Sequence, residues 1–71
     1  MITASEKISI IRKRKNLSVG ELANQAGMSR QNLSNKLSRN NLQEDDILKL
    51  ATALGCEVEI VFTDPESGEQ V

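Results

Sequence analysis

Apolar and polar residues follow a helical period over most of this chain and an alternating period near its end. At the start, Ile8 and Ile11 mark an apolar face, and Thr3 is placed to cap the helix that they predict. Further along, apolar residues repeat at i, i+3, i+4 and i+7 from Ile47 to Leu54. The pattern therefore predicts one helix at the beginning of the chain and a longer core helix that ends before residue 55.

Residues 18–37 carry the start and stop signals of two short helices joined by a tight turn. Ser18 begins a capping box, S-V-G-E, and Gly27 supplies the positive φ that a helix stop commonly needs. Ser29 is placed to cap a third helix over about residues 30–38. This is the pattern of a helix-turn-helix, which can enter the major groove of DNA, although a plain helical hairpin has similar signals.

The third predicted helix presents polar side chains that suit the edges of DNA bases. Its only apolar residues, Leu33 and Leu37, are one turn apart and are expected to face the core. Arginine can bind O6 and N7 of guanine, and glutamine or asparagine can bind N6 and N7 of adenine. The predicted base-contacting residues are Arg30, Gln31, Ser34 and Asn35.

Charge is divided unevenly along the chain, although the net charge is only −1. Residues 1–41 have eight basic and two acidic residues, a balance of +6, and residues 42–71 have one and eight, a balance of −7. A basic half suits contact with phosphate, whereas an accident of patterning would give the same division. Two explanations without DNA also apply. Basic residues at the end of the first helix complement the helix dipole, and residues 38–42 have the composition of an ordinary connecting loop. The predicted phosphate-contacting residues are Arg12, Arg14, Ser29, Lys36, Arg39 and Asn40.

After the last predicted helix the apolar period changes to two. Residues 56–63 alternate as in a strand, residues 64–68 are a strong turn signal, and residues 69–71 can return as a short strand. An exposed strand edge can pair with a second copy of the chain, or the strand can cover only its own helices. The residues expected at a homodimer interface are Val58, Ile60 and Phe62.

Length and composition narrow the class of protein. Seventy-one residues predict a single domain, mainly α, with a four-helix core over residues 3–55 and a β-strand or hairpin over residues 56–71. With no histidine and Cys56 as the only cysteine, we expect no disulfide within the chain, no metal, no cofactor and no enzymatic activity. No apolar run approaches membrane-spanning length, so we expect a cytoplasmic protein without a membrane partner.

Residues 18–37, continued by residues 47–55, resemble the phage repressor and Cro type of helix-turn-helix protein. The similarity covers about residues 8–55 and rests on the spacing of E-L-A, the turn glycine, the serine cap and L-A-T-A-L-G. It implies a repressor-like four-helix fold that binds double-stranded DNA. Carried over by position, it places major-groove base contacts at Arg30, Gln31 and Asn35.

The chain departs from the pattern of these proteins at two places. Val19 stands where relatives often have a glutamine that binds a phosphate, so that contact is lost here. Lys36 and Leu37 replace a common isoleucine–glutamate pair, and Leu37 is expected to pack inward. These differences indicate a divergent member.

The leading hypothesis is a sequence-specific transcriptional regulator, a repressor that acts as a homodimer on a palindromic operator. Members of the resembled family that end in a strand, Cro among them, dimerise by pairing that strand. The alternative is a protein-interaction or antitoxin-like module that retains the fold without reading DNA. The acidic second half and the exposed strand are compatible with this alternative.

Overall fold

The computed structural model describes residues 2–71 and confirms the four predicted helices. Within the described residues the fold is mainly helical. The third helix covers residues 30–38, the range that the sequence predicts for it. The helices are α1 (Ala4–Arg14), α2 (Val19–Gln25), α3 (Arg30–Ser38) and α4 (Glu44–Ala53).

Short polar side chains close the first turns of α1, α2 and α3, as the sequence predicts. The hydroxyl oxygens of Thr3, Ser18 and Ser29 each accept a hydrogen bond from the backbone N–H three residues further on, at 3.0–3.2 Å. At α2 the bond is reciprocal, because the N–H of Ser18 donates to Oε1 of Glu21 at 3.1 Å. These bonds satisfy N–H groups that have no partner inside a helix, and so they set where each helix begins.

Each helix is followed, two residues after its end, by a residue in the left-handed region. The turn between α2 and α3 passes through Gly27, with φ of 73°, and α4 is followed by Gly55, with φ of 69°. Asparagines take this position after α1 and α3, at Asn16 and Asn40, with φ of 56° and 50°. Glycine and asparagine tolerate positive φ best, which explains why the chain changes direction at these four residues.

The core is formed by aliphatic side chains from all four helices. Leu22, Leu33 and Leu50, one each from α2, α3 and α4, are completely buried, and Ile8 of α1 packs with them. Leu37 is half-buried against this cluster, so both leucines of α3 face the core as predicted. α3 is therefore held by its inner side, and its polar side is left at the surface.

The C-terminal segment differs from its prediction. Within residues 2–71 no strand is found, so the predicted strand over residues 56–63 is not confirmed. A single antiparallel bridge joins Thr63 to Gln70, and the turn between these two residues is closed by a 2.7 Å hydrogen bond from the N–H of Gly68 to the carbonyl of Asp64. A strand needs a hydrogen-bonded neighbour along its length, and the returning residues reach only the end of this segment.

The three residues expected at a dimer interface are at the surface of the single chain. Val58, Ile60 and Phe62 are 37%, 48% and 70% exposed. The segment that contains the first two lines a cavity of about 410 Å³ together with residues of α1 and α4. Among the described residues, no helix is long and apolar enough to cross a membrane.

Candidate nucleic-acid interface

Four polar side chains of α3 lie together on one exposed surface, which we call the α3 face. They line one shallow depression and are the four residues predicted to contact bases: Arg30, Gln31, Ser34 and Asn35. Their spacing of one, four and five positions places them on the same side of a helix. The structure thus brings these residues together opposite the buried side of α3, and their contact with bases stays a prediction.

The first turn of α3 is held from two directions. Leu33 is 0% exposed and inserts into the core, and the Ser29 hydroxyl caps the helix from outside. The side chain of Arg30 crosses the first turn of α2, where a Cβ placed on Gly20 would lie 3.4 Å from Cδ of Arg30. Because Gly20 has no side chain, the aliphatic part of Arg30 can lie close to the α2 backbone. The guanidinium therefore lies where α2 and α3 meet.

The predicted phosphate-contacting residues fall into two groups. Arg14 and Arg39 are exposed, and neither forms an ion pair within residues 2–71. Ser29 is exposed, but its hydroxyl oxygen already caps α3. The two arginines keep the properties that the sequence indicates for phosphate contact, since charge and access are both available.

Arg12 and Asn40 have partners inside the protein that the sequence did not indicate. Nη1 of Arg12 donates to the carbonyl of Leu17 at 2.7 Å, which fastens α1 to the loop before α2. The side-chain oxygen of Asn40 accepts a 2.8 Å hydrogen bond from the buried hydroxyl of Ser5. Both side chains therefore stabilise loops of the fold, and their contact with phosphate stays a prediction.

Lys36 is also held inside the protein. Its ammonium lies 2.8 Å from Oδ2 of Asp46, and the same oxygen accepts the backbone N–H of Gln43 at 3.1 Å. Asp46 is only 9% exposed. The pair connects the end of α3 to the first turn of α4, and the contact of Lys36 with a phosphate stays a prediction. Sequence reasoning missed the pair because its members are ten residues apart, beyond the reach of any helical spacing.

The Lys36–Asp46 pair is expected to make the stability of the fold depend on acid pH. The hydrogen bond from Lys36, followed by that from Gln43, lowers the pKa of the Asp46 carboxyl below its ordinary value of 3.8. Stability from a lowered carboxyl pKa is complete above the unfolded-state value and is lost as the pH falls through the folded-state value. Asp46→Asn should cost about 1.5–3 kcal/mol at neutral pH. It should also reduce the loss of stability on acidification to about pH 3, measured by urea unfolding.

Asp45→Asn provides the matched control for this measurement. Asp45 is adjacent in the chain and pairs with Lys49 at 3.4 Å, but its side chain is 76% exposed. An exposed pair of this kind contributes about 0.5 kcal/mol or less. Equal effects of the two substitutions at neutral pH would show that the Lys36–Asp46 pair does not fasten α3 to α4.

The capped helices, the glycine turn and the exposed polar side of the third helix define a helix-turn-helix protein. The family described as the Cro/C1-type HTH DNA-binding domain matches residues 7–64, which is most of the chain. The chain belongs to this family, and the resemblance to phage repressor and Cro proteins is confirmed. No curated protein and no solved structure matches it. Members are DNA-binding regulatory domains and generally not enzymes, and DNA is accordingly the partner of this one.

Proposed function

We propose that this protein is a sequence-specific transcription regulator that reads operator DNA with the α3 face and represses by occupying its site. The observation that supports this most directly is the exposed, acid-free character of that face. From residue 22 to residue 43 the chain has no acidic residue, while Arg30 and Arg39 are exposed there. A surface of this composition is suited to a polyanion, and its amide side chains can discriminate between bases.

The α3 face supplies the proposed base contacts. Arg30 would bind a guanine through two of its donors, and Gln31 and Asn35 would each bind an adenine through one donor and one acceptor. Ser34 lies between them and can donate to or accept from either base. All four lie in the first six residues of a helix that begins at Arg30, which suits a recognition helix that contacts bases with its N-terminal part.

Phosphate contacts are proposed for the exposed basic residues Arg14 and Arg39, together with the backbone next to Ser29. Arg12, Lys36 and Asn40 each have a partner within the fold, so we propose the phosphate contacts first for Arg14 and Arg39. Phosphate contacts add affinity and orient the protein on the duplex, whereas the base contacts carry sequence information.

We further propose that two copies bind a palindromic site. The support is the exposed apolar segment of Val58, Ile60 and Phe62, which leaves a large unpaired surface on a small chain. Two recognition helices in a dimer reach successive major grooves when the half-sites are about 34 Å apart. A monomer at tens of micromolar in analytical ultracentrifugation would contradict the homodimer and would leave DNA binding by one copy intact.

The deciding experiment selects bound duplexes from a random pool and then titrates the selected duplex and a random one by fluorescence anisotropy at several salt concentrations. Specific binding should exceed random binding, and both should weaken as salt rises. Failure to bind any duplex even at low salt would favour the protein-interaction or antitoxin-like alternative, which the exposed C-terminal segment also suits.

Arg39→Gln and Lys36→Met are expected to differ in the same titration. Loss of an exposed phosphate contact should reduce the slope of log K against log salt by about one unit per protomer for Arg39→Gln. Lys36→Met should leave the slope unchanged, because the Lys36 charge is already neutralised by Asp46. If Lys36→Met flattens the slope as much as Arg39→Gln does, Lys36 contacts phosphate in the complex. Circular dichroism of both variants checks that the helices remain folded.

A further inference from the structure

The first turn of α2 leaves a narrow space beside the side chain of Arg30. Gly20 is the second residue of α2, and a Cβ placed on it would lie 3.4 Å from Cδ of Arg30 and 3.8 Å from Cγ. The same Cβ would lie 3.8 Å from Oγ of Ser18, the hydroxyl that caps α2. A methyl group therefore fits here in ordinary contact, whereas a larger side chain crowds the Arg30 stem.

The backbone of Arg30 is held in place from the α3 side. α3 begins at Arg30, and Oγ of Ser29 accepts a 3.1 Å hydrogen bond from the N–H of Asn32, which fixes this first turn. The carbons Cγ and Cδ of Arg30 lie next to Gly20 of α2. A free arginine side chain samples many rotamers, and ordering them on binding lowers affinity. Here the fold restricts the stem before DNA binds, and mainly the guanidinium is left to orient.

The only acidic residue between positions 7 and 43 does not pair with this guanidinium. It is Glu21, the neighbour of Gly20 in the chain, and its Oε1 accepts a 3.1 Å hydrogen bond from the N–H of Ser18. In the part of the chain that the structure describes, Arg30 forms no ion pair. The capping box of α2 thus keeps the carboxylate on its own helix, and the charge of Arg30 stays available on the α3 face.

We propose that Gly20 is a positioning residue that controls the base specificity of Arg30. This rests on the guanine contact of Arg30 under the proposed function. Because position 20 has no side chain, the Arg30 stem can lie close to α2 and present its guanidinium to one base pair. Gly20 itself contacts no base. A side chain larger than a methyl group at this position moves the stem and weakens the preference for guanine at that base pair.

Anisotropy titrations of the full chain test this with the selected duplex and a set of duplexes that each change one base pair. Arg30→Ala identifies the base pair that Arg30 reads, where discrimination should fall by about five- to a hundredfold. Gly20→Val should lower discrimination at the same base pair by about two- to tenfold, because the displaced arginine must be ordered on binding. Discrimination at the other base pairs should be unchanged. The dependence on salt should also stay the same, because the substitution removes no charge.

Gly20→Ala is the matched control, because its methyl group meets the Arg30 stem in ordinary contact. It should keep the discrimination of the parent chain. Gly20→Leu is a second large variant, which favours a helix more than valine does and so disturbs α2 less. When Gly20→Val is combined with Arg30→Ala, the loss at the identified base pair should equal that of Arg30→Ala alone, because position 20 acts only through the arginine. Circular dichroism of each variant checks that the helices are folded.

Three results would overturn the positioning role of Gly20. If Gly20→Val and Gly20→Leu both discriminate as the parent chain does, the role is wrong and the base contact of Arg30 stands. A loss spread over all base pairs, or one that adds fully to the loss from Arg30→Ala, would show that position 20 acts through α2 and not through the arginine. If Arg30→Ala changes discrimination at no base pair, the proposed guanine contact is itself wrong, and the role of Gly20 fails with it.

Discussion

The triple variant Arg30→Ala, Gln31→Ala, Asn35→Ala is expected to bind its selected site no better than a random duplex. Each bidentate base contact discriminates against the wrong base by about 1–3 kcal/mol, so three losses approach the whole difference between specific and random binding of about 4–10 kcal/mol. The exposed Arg14 and Arg39 are untouched, so much of the salt-dependent random affinity should remain. Anisotropy titrations of the selected and random duplexes at fixed salt measure both quantities.

Asn32→Ala is the control for this variant. Asn32 is an exposed polar residue of the same helix and does not line the depression formed by the α3 face. Its substitution should preserve the ratio of specific to random binding. If the triple variant keeps that ratio, or if Asn32→Ala abolishes it, another surface reads the DNA and the assignment of the α3 face is wrong.

Leu33→Ala is expected to have the largest effect on stability. Leu33 is 0% exposed and is the completely buried side chain that α3 contributes to the core. A buried leucine-to-alanine change costs about 2–5 kcal/mol. A chain of this length has a total stability of roughly 4–11 kcal/mol at 0.05–0.15 kcal/mol per residue. The variant should therefore lose a large share of its folded population and its DNA binding, although the α3 face is unchanged.

Urea unfolding followed by far-ultraviolet circular dichroism measures this loss, since the chain has no tryptophan. Leu48→Ala is the matched control, because Leu48 of α4 is 46% exposed and the change removes the same atoms. We expect the control to stay within about 0.5 kcal/mol of the parent chain. Similar losses for the two variants would contradict the position of Leu33 at the centre of the core.

Together the two experiments distinguish a loss of DNA sequence recognition from a loss of folding stability. The triple variant removes polar groups from the surface and should leave the free energy of unfolding nearly unchanged. Leu33→Ala removes apolar contact behind that surface and should change affinity for both duplexes in proportion to the folded fraction. A protein that binds DNA through one side of α3 and anchors it through the other should show both behaviours.

The sequence by itself determined the four helices, their order and the polar composition of α3. The signals are local. Ser18 and Ser29 cap through a backbone N–H three residues away, and Gly27 supplies a φ that other residues adopt poorly. Leu33 and Leu37 are one turn apart, so the helix period alone turns them to the same side. Interactions that span three or four residues can be read from a sequence because the helix geometry is known in advance.

Only the tertiary structure decided which polar side chains form hydrogen bonds or ion pairs with distant parts of the chain. Lys36 meets Asp46 across ten residues, and Asn40 meets Ser5 across thirty-five. Nothing in their spacing indicates these contacts, since they depend on how α1 and α4 pack against α3. The strand over residues 56–63 was inferred from alternation, yet a strand also needs a partner. Within the described residues the chain supplies one only near the end of this segment, from Phe62 to Asp64. Local hydrogen bonds determine where elements form, and packing determines which charged side chains have partners inside the fold.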